Sequence, residues 1–303
     1  MDDLIPPPDS SSISSSVKSI LGPAATARRD ANMGRVLLEQ GKITVEQLAT
    51  IRNLQKEEGI PFGEAARRLG MVSETDLQLA LSRQFVQPSV VKDQGDFRST
   101  LKAAYQPFSA EVEALRGIRT QLMRRWFVNG CKTLAIVSVN PDDGTSLLAA
   151  NLAVVFAQLG KRTLLVDGNL RTPSQQTIFN LAAGEGLADV LSGSTGLNLL
   201  SPIESFIDLS LLPAGSTVPN PEELISREGF GAVNEALCER FDIILYDTPA
   251  FSSADDVLTI AAHAGGALVV LRKDHTGIAA LTAFSKQLRQ RGTEIVGSVL
   301  VKF

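Results

Sequence analysis

Apolar positions along this chain follow two different rhythms. Between Asn32 and Val91 they recur at helical spacing, broken by glycines and short polar stretches. From Thr133 onward they gather into short continuous runs: Thr133 to Val139 (TLAIVSV), 162–166 (RTLLV), 207–212, Phe241 to Tyr246 (FDIILY), 267–271 and 294–300. Helical stretches such as Leu147 to Leu159 (LLAANLAVVFAQL) separate them. Strands apolar throughout, alternating with helices, predict an α/β fold: a doubly wound, mostly parallel sheet covered on both faces, the architecture of P-loop NTPases. Residues 92–110 are polar and weakly periodic and read as a linker between a helical domain at 32–91 and the α/β domain at 111–303. The Ser- and Pro-rich segment 1–31 (DDLIPPPDSSSISSS near its start) reads as a disordered tail.

The helical region contains an internal repeat. Gly34 matches Gly63, Gly41 matches Gly70, Leu48 matches Leu77 and Gln55 matches Gln84, each 29 positions apart. Each unit reads as a short helix, a glycine suited to the left-handed turn past its end, and a capped second helix. Thr44-Val45-Glu46-Gln47 has the form of a capping box, and Ser73-Glu74-Thr75-Asp76 a shortened one. The expectation is a small all-helical tandem-repeat domain of four helices.

Composition narrows the partners. A net charge of −4 and a pI near 5.4 argue against a nucleic-acid surface. Cys131 and Cys238 have neither metal nor disulfide spacing, which suggests a reducing compartment. His263 and His275 flank a strand and read as structural. No apolar run approaches the ~20 residues that cross a bilayer, and the first 30 residues lack a signal peptide's basic start and apolar core. A cytoplasmic protein without direct membrane insertion is expected.

The candidate chemistry starts after the first strand of the α/β region. Val137-Ser138-Val139-Asn140-Pro141-Asp142-Asp143-Gly144-Thr145-Ser146 has the frame of a phosphate-binding loop, a strand feeding a tight turn that opens a helix. Where such a loop carries its lysine, this chain has Thr145; the following Ser146 is suited to hold Mg²⁺. Asp142 and Asp143 add acids where phosphate oxygens would sit. The second strand ends at Asp167 and the third at Asp247, so two acids at the carboxyl ends of parallel strands face the same crevice.

Taken together, these segments resemble the bacterial tyrosine autokinases of capsule and exopolysaccharide assembly, in particular the chain-length-determinant type. The resemblance rests on Gly144-Thr145-Ser146, on Asp167-Gly168-Asn169-Leu170-Arg171 and on Asp247. Gly186 to Gly193 (GLADVLSG), Pro213-Ala214-Gly215, Pro219 to Leu224 and the closing strand Ile295 to Leu300 extend it. It implies ATP or ADP with Mg²⁺, the nucleotide held by Asp143, Gly144, Thr145 and Ser146. Ser146, Asp167 and Asp247 would hold the metal, and Asp167, Asp247 and Arg171 would act in catalysis. Glu113, Arg116 and Arg119 match the family's Glu-x-x-Arg-x-x-Arg self-association motif, which implies a homo-oligomer. A membrane-embedded chain-length determinant, the polysaccharide co-polymerase, is implied as the partner that recruits the protein to the inner face of the membrane. Departures from the pattern are Thr145, Asn169 in place of a second acid, and an end at Lys302-Phe303 where the family carries a tyrosine-rich tail. Of the two tyrosines, Tyr246 falls in an apolar strand and Tyr105 in the linker. These departures point to a regulatory subunit with weak or no kinase activity. An active ATP-dependent tyrosine kinase, with Arg171 or a neighbouring subunit's basic residue replacing the lysine, is the rival reading. A MinD-like positioning ATPase is a remoter one.

The helical repeat is similar to the MshEN domain of type II secretion and pilus assembly ATPases. That resemblance implies cyclic di-GMP binding at Gly34, Gly41, Gln55, Gly63, Gly70 and Gln84. The arginine that opens the motif is missing from both triplets, Asn32-Met33-Gly34 and Pro61-Phe62-Gly63. A docking module without nucleotide therefore stands beside a second-messenger receptor coupled to polysaccharide secretion.

Overall fold

The computed structural model describes residues 33–34, 37–38, 41–73, 76 and 100–302, the last stretch without 107, 183, 198–199 and 227–228. Segment 1–31, Leu77, Gln84 and most of the linker lie outside the described residues. The chain divides into two compact units, residues 1–87 and 88–303.

In the first unit the 29-residue period reappears in three dimensions. Helix α1 (Val45–Glu58) opens on the Thr44 capping box, whose side chain accepts from the Gln47 N–H at 3.3 Å while the Gln47 side chain accepts from the Thr44 N–H at 2.9 Å. Helix α2 (Phe62–Arg68) follows. Gly41 and Gly70 have φ of 64° and 65°. The bonds around them repeat: Gly41 N–H to Leu38 O and Lys42 N–H to Leu37 O in one unit, Gly70 N–H to Arg67 O and Met71 N–H to Ala66 O in the other. Both glycines thus close the same helix-ending turn, a conformation that side chains disfavour. Burial keeps the period too, since Met33 and Phe62, Leu37 and Ala66, and Ile43 and Val72 are all buried in one core. Gly34 allows close approach: a Cβ there would stand 2.6 Å from Cδ1 at the tip of Leu48, which would have to shift.

The second unit is a seven-stranded sheet in the order β3-β4-β2-β5-β1-β6-β7. Its strands are β1 (Thr133–Ser138), β2 (Thr163–Asp167), β3 (Ser201–Pro202), β4 (Leu209–Leu212), β5 (Ile243–Asp247), β6 (Gly266–Arg272) and β7 (Glu294–Val301). Every pairing is parallel except β3 with β4. β1, β2 and β5 are buried along their whole length, as strands covered on both faces must be. One core contains α4 (Ala110–Arg125) and α5 (Thr145–Ala157), the other α6 (Asp256–Ala264) and α7 (Ile278–Gln290). Because the chain leaves central β1 toward β2 on one side and returns to β6 on the other, the order reverses there, the position where open α/β sheets bind ligands.

Part of the expected linker belongs to this unit. Leu101, Ala103 and Ala104 are fully buried, in and beside the short helix α3 (Lys102–Tyr105). The Ala103 N–H donates to Asn151 Oδ1 at 2.8 Å, and its carbonyl accepts from Gln158 Nε2 at 3.2 Å. The polarity of the surrounding sequence hides a four-residue apolar contact whose partner is 48 positions away.

Candidate nucleotide and metal site

The loop between β1 and α5 has the backbone of a phosphate cradle. Asp142 and Gly144 both take left-handed φ, 63° and 88°, on either side of Asp143. Gly144 caps α5, whose first-turn N–H groups lack intrahelical acceptors and so face an incoming anion. Asp142 occupies a conformation that suits glycine, at about 1 kcal/mol of strain.

Asp143 is fully buried and serves the loop itself. Its Oδ2 accepts from the Asn140 N–H at 3.0 Å; its Oδ1 meets His275 Nδ1 at 2.9 Å and accepts from Thr276 Oγ1 at 3.2 Å. Arg272 adds a bond of 3.3 Å to the Asp142 carbonyl. The acid expected among phosphate oxygens is therefore engaged on both oxygens by its own chain, and the segment after β6 braces the loop. Sequence reasoning left His275, Thr276 and Arg272 out of the site. The available signal was their position just past the carboxyl end of a central strand, where crevice residues collect.

Thr145, in the lysine position, is buried, and its Oγ1 has no hydrogen-bond partner. Arg171 does not supply the missing cation from where it stands. Its Nε and Nη2 bind Asp256 at 2.8 and 3.3 Å, and that carboxylate is itself almost wholly buried. Moving the guanidinium to a phosphate would leave Asp256 buried and unpaired.

The acids at the strand ends do meet. The β2–β5 register sets Asp167 beside Asp247, both fully buried. Asp167 accepts from the backbone N–H groups of Asn169 at 3.2 Å, and of Ser174 and Gln175 at 3.0 Å each. Asp247 accepts from Gln175 Nε2 at 2.7 Å, yet its Oδ1 has no partner. Burial holds both carboxyls above the ordinary range, outweighing the backbone donors on Asp167; on Asp247 the neighbouring Asp167 charge adds to it. Asn169, where the family pattern has a second acid, forms a local turn with Thr172 instead. Gln175 was not foreseen, because a glutamine four residues past the motif carries no signal until the fold places it.

Two close carboxylates, an adjacent serine hydroxyl and an orphaned carboxylate oxygen fit a hard divalent cation. Among the described residues no cluster of three or more His, Cys, Asp or Glu forms a ligand set. Mg²⁺ does not require one, since it is commonly held by one or two carboxylates, substrate phosphates and water. Ser146, Asp167 and Asp247 would hold it here.

The remaining expected sites have local partners. Arg116 pairs with Glu113 one turn away on α4. Arg119 is half-buried and donates to the Val155 carbonyl at 2.7 Å, near the C-terminus of α5 where a cation is favoured. Tyr246 is buried and donates to Asn234 Oδ1 at 2.7 Å, while Tyr105 is half-buried on α3. In the first unit Gly34, Gly41 and Gly70 serve packing and turns, Gly63 lies within α2 and Gln55 within α1. No helix among the described residues is long and apolar enough to cross a membrane.

No protein-family model matches the chain. CapB of Staphylococcus aureus is 32% identical over 208 residues, covering 68% of this chain and 91% of CapB. The tyrosine-protein kinase wzc of Salmonella typhimurium is 29% identical over 203 residues, which is 67% of this chain but only 28% of wzc. Among solved structures, the kinase domain of Escherichia coli tyrosine kinase ETK superposes with a TM-score of 0.64 at 26% identity, covering 67% of this chain and 79% of that one. With its sheet order, its strand-end acids and a relative of this identity and coverage, the chain belongs to the bacterial tyrosine-protein kinase family.

Proposed function

We propose that this chain is a kinase-like regulatory subunit of capsule or exopolysaccharide polymerisation and export, one that binds Mg²⁺ and ATP or ADP weakly and transfers phosphate slowly or not at all. The observation that carries this reading is Thr145, buried in the lysine position, while Arg171, the expected substitute, is committed to Asp256. The α5 N-terminus and the left-handed backbone at Asp142 and Gly144 still offer N–H groups to a phosphate. Ser146, Asp167 and Asp247 still offer oxygens to the cation that, when bound, neutralises phosphate charge. Position 145 lacks the side-chain cation that stabilises negative charge developing on the transferred group, a large contribution in phosphoryl transfer.

The family resemblance at Gly186 to Gly193 and Pro219 to Leu224 supports the polysaccharide setting. It also supports a membrane chain-length determinant as partner and self-association through the Glu113, Arg116 and Arg119 face. Calorimetric titration with Mg²⁺–ADP and Mg²⁺–ATP beside an autophosphorylation assay tests the reading. Weak, Mg²⁺-dependent binding without appreciable labelling is expected. Labelling at about 1 per second or faster, the range of working kinases, would establish an active kinase instead.

A further inference from the structure

Gln175 is fully buried and touches the acid pair from both main chain and side chain. Its N–H donates to Asp167 Oδ2 at 3.0 Å, while its Nε2 donates to Asp247 Oδ2 at 2.7 Å and to the Ser146 carbonyl at 3.0 Å. Its Oε1 has no partner, and neither has Asp247 Oδ1. A primary amide presents two donors on nitrogen and an acceptor on oxygen, and no net charge. Turned this way, it satisfies an oxygen of Asp247 without neutralising the carboxylate, and it leaves its own acceptor idle in a buried setting, which is unfavourable.

We propose that the Gln175 side chain is a positioning residue that competes with a divalent cation for Asp247 Oδ2 and yields or turns over when the cation takes that oxygen. The inference rests on the reading of this crevice as a metal site. The amide donor end places positive hydrogens on Oδ2, so a cation that takes this oxygen, alone or together with the open Oδ1, must displace them. The donors on Asp167 are backbone N–H groups fixed by the turn at 169–175 and cannot rotate away. The Gln175 amide can: rotation about its last torsion exchanges Nε2 for Oε1, which gives up the bond to the Ser146 carbonyl as well and is offset only when a cation accepts the neutral oxygen presented in place of the donor. Gln175 thereby sets how readily the site loads, with no direct part in the chemistry.

Mg²⁺ alone, titrated by calorimetry and followed by thermal melting, tests this on the full chain. Wild type is compared with Gln175→Ala, Gln175→Met and Asp247→Asn. Methionine keeps the volume and removes the donor, so the pair separates a lost cavity from a lost competitor. Both Gln175 variants are expected to melt lower than wild type without metal, to bind Mg²⁺ about tenfold more tightly, and to show a larger Mg²⁺-induced rise in Tm. A structural role alone lowers the melting point and leaves affinity equal or weaker. Equal or weaker Mg²⁺ binding in both variants, with binding abolished by Asp247→Asn, overturns the competition and leaves the metal site standing. Binding absent from all four proteins, or indifferent to Asp247→Asn, removes the metal site itself and the inference with it.

Discussion

The phosphate loop and the acid pair share one crevice but balance their charge in opposite ways. In the loop, Asp143 is fully engaged by Asn140, His275 and Thr276, so that acid is satisfied without a ligand. Across the crevice, Asp247 keeps an orphaned oxygen and both acids are held above their ordinary pKa. A buried carboxylate that lacks a counter-charge is unfavourable until it gains a proton or a cation. The loop has therefore acquired self-support where the acid pair retains a demand for a cation. Thr145 in the lysine position and the acid pair of Asp167 and Asp247 have separate consequences.

The largest effect is expected on the self-supported side. Asp143→Ala strips an acceptor from one backbone N–H and two side chains and should destabilise the protein by about 3 kcal/mol, seen as a lower denaturation midpoint. An unchanged midpoint would mean the brace is incidental.

Asp247→Asn should have the opposite sign. Since folding raises this carboxyl to about 8, the native protein retains a proton that the unfolded chain releases above its ordinary pKa near 4. Stability is then lost as pH rises from about 4 toward about 8. The asparagine variant removes that loss, gaining about 1–3 kcal/mol at pH 8 without metal and little near pH 4. Denaturation at several pH values reads it; a variant destabilised at pH 8 would show that the acid pair is as well balanced as the loop.

Repair of the loop comes next in size. Thr145→Lys with Asp142→Gly should raise ATP affinity by about tenfold or more, beyond the sum of the single changes, because lysine beside Asp142 is free to pair with it. Asp247→Ala in that background should abolish the Mg²⁺-dependent part of the gain. A double variant no better than its parent would make the crevice a scaffold.

Smallest is Asp142→Gly alone. It relieves a side chain at φ 63° and should stabilise by up to about 1 kcal/mol, offset in part by the entropy of an added glycine in the unfolded chain. Thermal melting checks it.

Much of this molecule was legible in local pattern. Apolar runs mark the long strands and put Asp167 and Asp247 at their ends, Thr44 and Gln47 mark a helix start, and the 29-residue repeat appears in both turns and burial. Such features depend on neighbours within a few residues, so spacing alone reveals them. The short antiparallel strand at Ser201–Pro202 and the packing of Leu101 to Ala104 were not legible, because two to four residues carry no periodicity. The state of the site was decided by tertiary structure. Asp143 meets His275 across 132 positions, Arg171 meets Asp256 across 85 and Gln175 meets Asp247 across 72. Sequence set which charges exist; only the closing of the sheet decided which of them are neutralised by the chain and which are left facing each other, since Coulomb and hydrogen-bond energies depend on distance in space and on exclusion of water.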